Sequence, residues 1–188
     1  MMLGIEIRYS LQGAWRLFRR DPAGIILFNP TLAGYWRSFW AAIIVAPAFV
    51  LLDVLVNHGQ AEYDLRYLLI HLIAYVIDWT AFPVAMLSVA DGMGKRSLYL
   101  RYIAAYNWSS LVQMACLLPT ALLAIAIPHP VTLLLAQGIT VWLLVYRAYI
   151  ARIALQTGWG MPIAIVLLDI LLASAGRQVT ELLLRGTL

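Results

Sequence analysis

Five stretches of this chain, residues 37–56, 67–90, 107–127, 131–151 and 161–175, stay apolar for longer than the core of a soluble domain can use. A helix needs about 20 mostly apolar residues to cross a hydrocarbon layer, and the first four meet that length. The fifth has only 15 such residues. It crosses if it is extended by a few residues with Arg177 snorkelling at its outer edge; a four-span chain with a re-entrant fifth segment is the alternative. Hydrocarbon offers the backbone no partners, so each span must be a helix. The expected fold is all-α, an integral membrane bundle of five transmembrane helices. Composition agrees, because 63% of the 188 residues are hydrophobic and 12% are charged, where soluble domains carry about 25% charged residues.

The net charge of +4 comes from 13 Lys and Arg against 9 Asp and Glu. In a membrane chain such a surplus sets orientation, and no nucleic-acid partner is expected. Arg8, Arg16, Arg19, Arg20, Arg37, Lys95, Arg96, Arg101, Arg147 and Arg152 fall on one side of the expected bundle, and Arg66, Arg177 and Arg185 on the other. The N-terminus is therefore expected in the cytoplasm and the C-terminus in the periplasm. No short apolar segment with a small-residue cleavage site opens the chain, so the N-terminus is expected to be retained. "PHP" at residues 128–130 can only be a tight turn between helices.

Residues 1–36 read as a separate part, a cytoplasmic arm ahead of a transmembrane domain at 37–188. Ile7, Leu11, Ala14, Trp15 and Phe18 share one helical stripe, with Arg8, Gln12, Arg16 and Arg19 towards another, the pattern of an amphipathic helix lying in the membrane interface. Trp15, Arg16, Phe18, Arg19 and Arg20 are its candidate lipid-facing residues. The other reading is that the helix packs against the cytoplasmic ends of the chain's own spans. Asp21-Pro22 ends it, and Asn29-Pro30 turns the chain into the first span. Tyr35, Trp36, Trp40, Tyr99, Tyr102, Tyr106, Trp108, Tyr146, Tyr149 and Trp159 gather where an interfacial aromatic belt would lie. Pro47, Pro83 and Pro119 lie within spans, where each frees a carbonyl and can kink its helix.

Polar residues inside the spans are the candidate functional positions, since an ionisable group at the membrane centre costs ~2.5–3.5 kcal/mol on insertion scales. Asp78 and Asp169 both fall near the midplane, with Arg147 within side-chain reach. Gln137, Thr140 and Arg147 share one face of span four, expected to point inward. The simplest account is an Asp–Arg or Asp–Arg–Asp bridge joining spans two, four and five. The functional account is that two acids and one base leave a carboxyl over to handle a proton or ion. Asp53 lies roughly 24 Å from the inner end of span one at ~1.5 Å per residue. It is thus level with His71, and the two can pair at the outer surface, or His71 is simply solvated.

Other motifs fail. "DGMGKRS" departs from a phosphate loop at Val89, where glycine is required, and at Arg96, where Ser or Thr is. "NWS" at Asn107 matches a glycosylation acceptor on the wrong side of the membrane. His58, His71 and His129 lack metal-ligand spacing, Cys116 is alone, and no Ser–His–Asp set is recoverable. No catalysis, cofactor or metal is expected.

"GAWRLFRRDPAGIILFNPTLAGYWRSFW" and "YIAAYNWSSL", with an aspartate-bearing second span that runs into proline, resemble an uncharacterised group of small bacterial polytopic membrane proteins. The five-span plan with a cytoplasmic arm also looks like the Yip family, although that family's tyrosine–glycine–proline signature is not present. The resemblance implies an accessory role that transfers no individual residue. The expectation is thus a bacterial inner-membrane accessory, scaffold or interaction protein. Its partners are the lipid bilayer and another membrane protein or complex, or a second copy. The alternative is a small proton- or ion-coupled transporter or channel subunit that uses intramembrane carboxylates.

Overall fold

The computed structural model describes residues 2–56 and 64–185. Most of the expected outer connection, with His58, and the last three residues therefore lie outside the described residues. Seven α-helices account for the architecture: α1 (Met2–Phe18), α2 (Leu32–Ser38), α3 (Trp40–Val56), α4 (Leu65–Gly92), α5 (Arg96–Ala126), α6 (Pro130–Leu155) and α7 (Gly160–Arg185). A 3₁₀ segment, Pro22–Leu27, joins α1 to α2. Five helices are long and apolar enough to cross a membrane, the first counted from Leu32 to Val56 across α2 and α3. The fifth, α7, is one continuous helix of 26 residues. It runs ten residues beyond the apolar core read from sequence, so Arg177 sits within it.

Local chemistry sets the ends. Asp64 caps α4, its Oδ1 accepting from the Tyr67 amide at 2.7 Å. In the "PHP" turn, His129 Nδ1 accepts from the Val131 amide at 3.2 Å while Thr132 Oγ1 accepts from the His129 amide at 3.2 Å. These reciprocal bonds start α6 with Pro130 at its first turn. α1 closes with the Asp21 amide on the Arg16 carbonyl at 2.9 Å, which places Arg20 at φ 65°. That left-handed position normally belongs to glycine and costs an arginine roughly 1–2 kcal/mol.

Tertiary contacts offset that cost. The Arg20 carbonyl accepts from the Tyr149 hydroxyl at 2.9 Å. Its guanidinium lies 4.8 Å from the Trp142 ring centre and 5.1 Å from that of Tyr149. Tyr146 donates to the Ala14 carbonyl at 2.7 Å. α1 and the 3₁₀ segment meet at two glycines: a Cβ on Gly24 would stand 2.6 Å from the Gly13 carbonyl oxygen. Ile7, Leu11 and Phe18 pack on the core and Ala14 and Leu17 are fully buried, so the apolar stripe of α1 faces the bundle, with Trp15 half exposed. Glu6 accepts from Arg37 at 2.8 Å and Arg16 pairs with Asp21 at 2.6 Å, closing residues 2–38 into a cap.

α5 is the central post, packing on α1, α2, α3, α4 and α6, while α7 packs on α4 and α6. Its 31 residues span about 46 Å, longer than a hydrocarbon core of ~30 Å. The extra turns lie under the cap. There Asn107 donates to Ser38 Oγ at 2.8 Å and Tyr99 to the Pro83 carbonyl at 2.9 Å. Tyr99, Tyr102, Trp108, Tyr146 and Tyr149 are all buried, so half of the expected aromatic belt is core that fastens cap to bundle. Trp36, Trp40 and Trp159 remain exposed.

Candidate functional site

Three spans converge on Arg147. Its Nη1 donates to Asp169 Oδ2 at 2.5 Å and its Nε to Gln113 Oε1 at 2.6 Å. The Tyr106 hydroxyl donates to Asp169 Oδ1 at 2.8 Å, so both carboxylate oxygens have partners. Gln113 in turn donates to Ser109 Oγ at 2.9 Å, and Ser109 to the Tyr106 carbonyl at 2.6 Å. The guanidinium carbon lies 5.6 Å from the Tyr106 ring centre. Asp169 is buried, at 6% exposure. Such a pair is tolerated out of water only with further hydrogen bonds, and here both Asp169 oxygens and the Arg147 Nε and Nη1 have partners. It ties α5, α6 and α7 at one level, nine residues from the cap end of α7.

Asp78 stands apart from this pair. Among the described residues it makes no hydrogen bond or ion pair, so the expected Asp78–Arg147 bridge is corrected to Asp169–Arg147. The reason is lateral: α6 packs on α7 and α5 rather than on α4, which carries Asp78. Asp78 lines a cavity of about 420 Å³ whose walls also include Tyr106, Gln113, Arg147 and Asp169. Across from it on α7 is Gly176, where a Cβ would stand 2.9 Å from Asp78 Oδ1. The neighbouring Arg177 exerts attraction on Asp78, but its Nη2 reaches Ser174 Oγ at 3.3 Å.

Two further members of the expected cluster are not in it. Gln137 and Thr140 are exposed on α6, and Thr140 donates to the Ala136 carbonyl at 2.9 Å within its own helix. Thr140 lies two turns from Arg147 on the same face, but α6 buries side chains only from Leu143 towards the cap, so that face is uncovered at their level. Asp53 and His71 do meet, at 3.9 Å between Oδ1 and Nε2. Tyr67 donates to Asp53 Oδ2 at 2.8 Å and stacks on His71 with ring centres 3.9 Å apart. His71 Nδ1 is 3.0 Å from the Tyr67 carbonyl, an acceptor only, so that nitrogen carries its hydrogen.

The arm residues divide. Trp15 and Arg19 are exposed, whereas Phe18 packs edge-on against Tyr146 at 5.4 Å, Arg16 holds Asp21, and Arg20 is locked on α6. The hydrogen bond and charge of Arg16 and the Ala23 amide hold the Asp21 carboxyl below the ordinary aspartate range. Tyr106, Ser109 and Gln113 were not singled out as site residues from the sequence. Their three-four spacing on one helix face is the signal that points to them, masked by so many neighbouring aromatics. No family model matches the chain, and no curated protein or solved structure matches it.

Proposed function

We propose that this chain is a bacterial inner-membrane accessory or interaction protein that presents its N-terminal cap to the cytoplasmic membrane interface and to a membrane-protein partner. The observation that carries this reading is the outer surface of the cap. Ile5, Tyr9, Trp15, Ile26 and Trp36 are each more than half exposed, beside exposed Arg8 and Arg19. Ile5, Tyr9 and Ile26 border an open groove of about 510 Å³ floored by Glu6 and Arg37. Aromatic and apolar side chains next to arginines suit an interface of lipid headgroups, and a groove of this kind suits a partner helix. In this reading the bilayer and a second membrane protein are the partners, with the N-terminus inside and the C-terminus outside.

The test has two parts. Reporter fusions at Lys95 and Thr157 are expected to read inside and a fusion after the last residue outside; an inside reading at the C-terminus would overturn the orientation. In a mild-detergent pull-down, wild type is expected to retain a stoichiometric partner that a Tyr9→Ser/Ile26→Ser variant loses. A clean homodimer, or a partner retained equally by the variant, would overturn the assignment to the cap. The second reading, a proton- or ion-coupled transporter subunit, is favoured by one observation, the exclusion of Asp78 from the Arg147–Asp169 pair.

A further inference from the structure

We propose that the cavity between α4, α5 and α7 is a binding site for a small amphipathic organic cation, an amine or ammonium on an apolar body, with Asp78 as its counter-charge. The proposal goes beyond the accessory reading and does not rest on it. The volume, about 420 Å³, lies within the range of small-molecule sites. Its walls are largely apolar and aromatic, with Trp79, Phe82, Met114, Leu117 and Leu172 among them. Phe82 and Tyr106 stack with ring centres 4.4 Å apart, giving the cavity a firm aromatic side.

The charges decide the sign of the ligand. Of the three charged side chains lining the cavity, Arg147 and Asp169 form an ion pair and neutralise one another. What remains is the Asp78 carboxylate, which attracts a cation and repels an anion. Gly176 lets that carboxylate lie against α7, and a Cβ there would push it aside. An inorganic cation is a poor fit, because hard metal ions require about six oxygen ligands or more. One carboxylate facing aromatic rings instead matches an alkyl- or arylammonium, which gains both the ion pair and the ring faces. Asp78 lies 13 residues from Leu65 and 14 from Gly92, the ends of α4. A ligand that reaches this depth needs an apolar body to partition into the bilayer first.

The experiment uses the full chain in nanodiscs of pure phosphatidylglycerol, titrated with benzylamine, benzyl alcohol and benzoate while tryptophan fluorescence and melting temperature are followed. Benzylamine alone is expected to give a saturable response. Asp78→Asn is expected to weaken its apparent affinity by about tenfold or more, the scale of a lost hydrogen bond to a charged group. Gly176→Ala, which keeps the charge but displaces it, should weaken binding as well, and Arg177→Gln should bind as tightly as wild type or more so because a competing cation is gone. Equal responses to benzyl alcohol, an unchanged affinity in Asp78→Asn, a loss in Arg177→Gln as large as in Asp78→Asn, or no saturable response would each overturn the proposal. Repeating the titration with phosphatidylethanolamine present separates the sources. A weaker apparent affinity for benzylamine assigns the site to a lipid amine headgroup, and an unchanged one assigns it to a free amine.

Discussion

The half of the bundle under the cap and the half remote from it are built differently, although long apolar runs pass through both. On the cap side lie Trp108, Tyr102, Tyr146, Ile103 and Ile150, all essentially inaccessible, with polar Asn107 and Ser38 buried among them. On the remote side, past Val45, Gln113 and Asp169 and before Phe82 and Leu143, Tyr67 is the one buried residue among those described. The cap half is packed like a soluble core because α1, the 3₁₀ segment and α2 are wrapped onto it. The remote half has only its own spans, and lipid covers apolar side chains as well as another helix does. Between the two lies the Arg147–Asp169 pair, with the open cavity and Asp78 beside it.

The largest test of that contrast is the boundary pair. Arg147→Gln is expected to destabilise the detergent-solubilised protein by ~3–5 kcal/mol, since it leaves the buried Asp169 charge alone, and Asp169→Asn by less, since the Arg147 side chain is 31% exposed. The double variant should recover part of the loss, and a thermal-melting double-mutant cycle reads the coupling. Additive losses would mean that the pair does not join the two halves. Asp78→Asn in the same assay should leave stability unchanged or raise it, since a neutral amide replaces an unpaired acid.

A smaller effect separates the halves through identical chemistry. Leu17→Ala, at a fully buried position under the cap, is expected to cost ~2–5 kcal/mol. Leu171→Ala, at 66% exposure on the remote side, should cost within about 0.5 kcal/mol. Equal losses by thermal or denaturant unfolding would show that the remote half is covered by something other than lipid.

The smallest effect concerns the cap itself. Arg16 and the Ala23 amide hold the folded Asp21 carboxyl below its ordinary value. A depressed carboxyl contributes stability that is present above the unfolded value, about pH 4, and lost as pH falls through the folded one. Wild type should therefore melt at a slightly higher temperature than Asp21→Asn at neutral pH, and the difference should shrink as pH falls below about 4. The pair is exposed, so salt should weaken the effect. No difference at pH 7 would assign Asp21 to the 3₁₀ cap alone, a role that asparagine also fills.

What the amino-acid sequence determined by itself is the set of long-range constraints that need no neighbour. Runs of apolar residues fix five helices, because hydrocarbon leaves the backbone no other partner. Asp21-Pro22, Asn29-Pro30 and the "PHP" turn fix where helices stop, because proline and capping side chains act within a few residues. The Asp53–His71 meeting was also legible, since two helices joined by a short connection must return at the same depth. The tertiary structure alone decided which lateral neighbours each helix has, and depth does not contain that information. Asp78, Arg147 and Asp169 share a level in sequence, yet Arg147 faces α7 and α5, so Asp169 and Gln113 take it and Asp78 does not. The aromatics near the cap likewise look the same in sequence whether they float in an interface or fill a core. Tyr146 and Tyr149 became core because the carbonyls of Ala14 and Arg20 arrive beside them from residues 132 and 129 positions away.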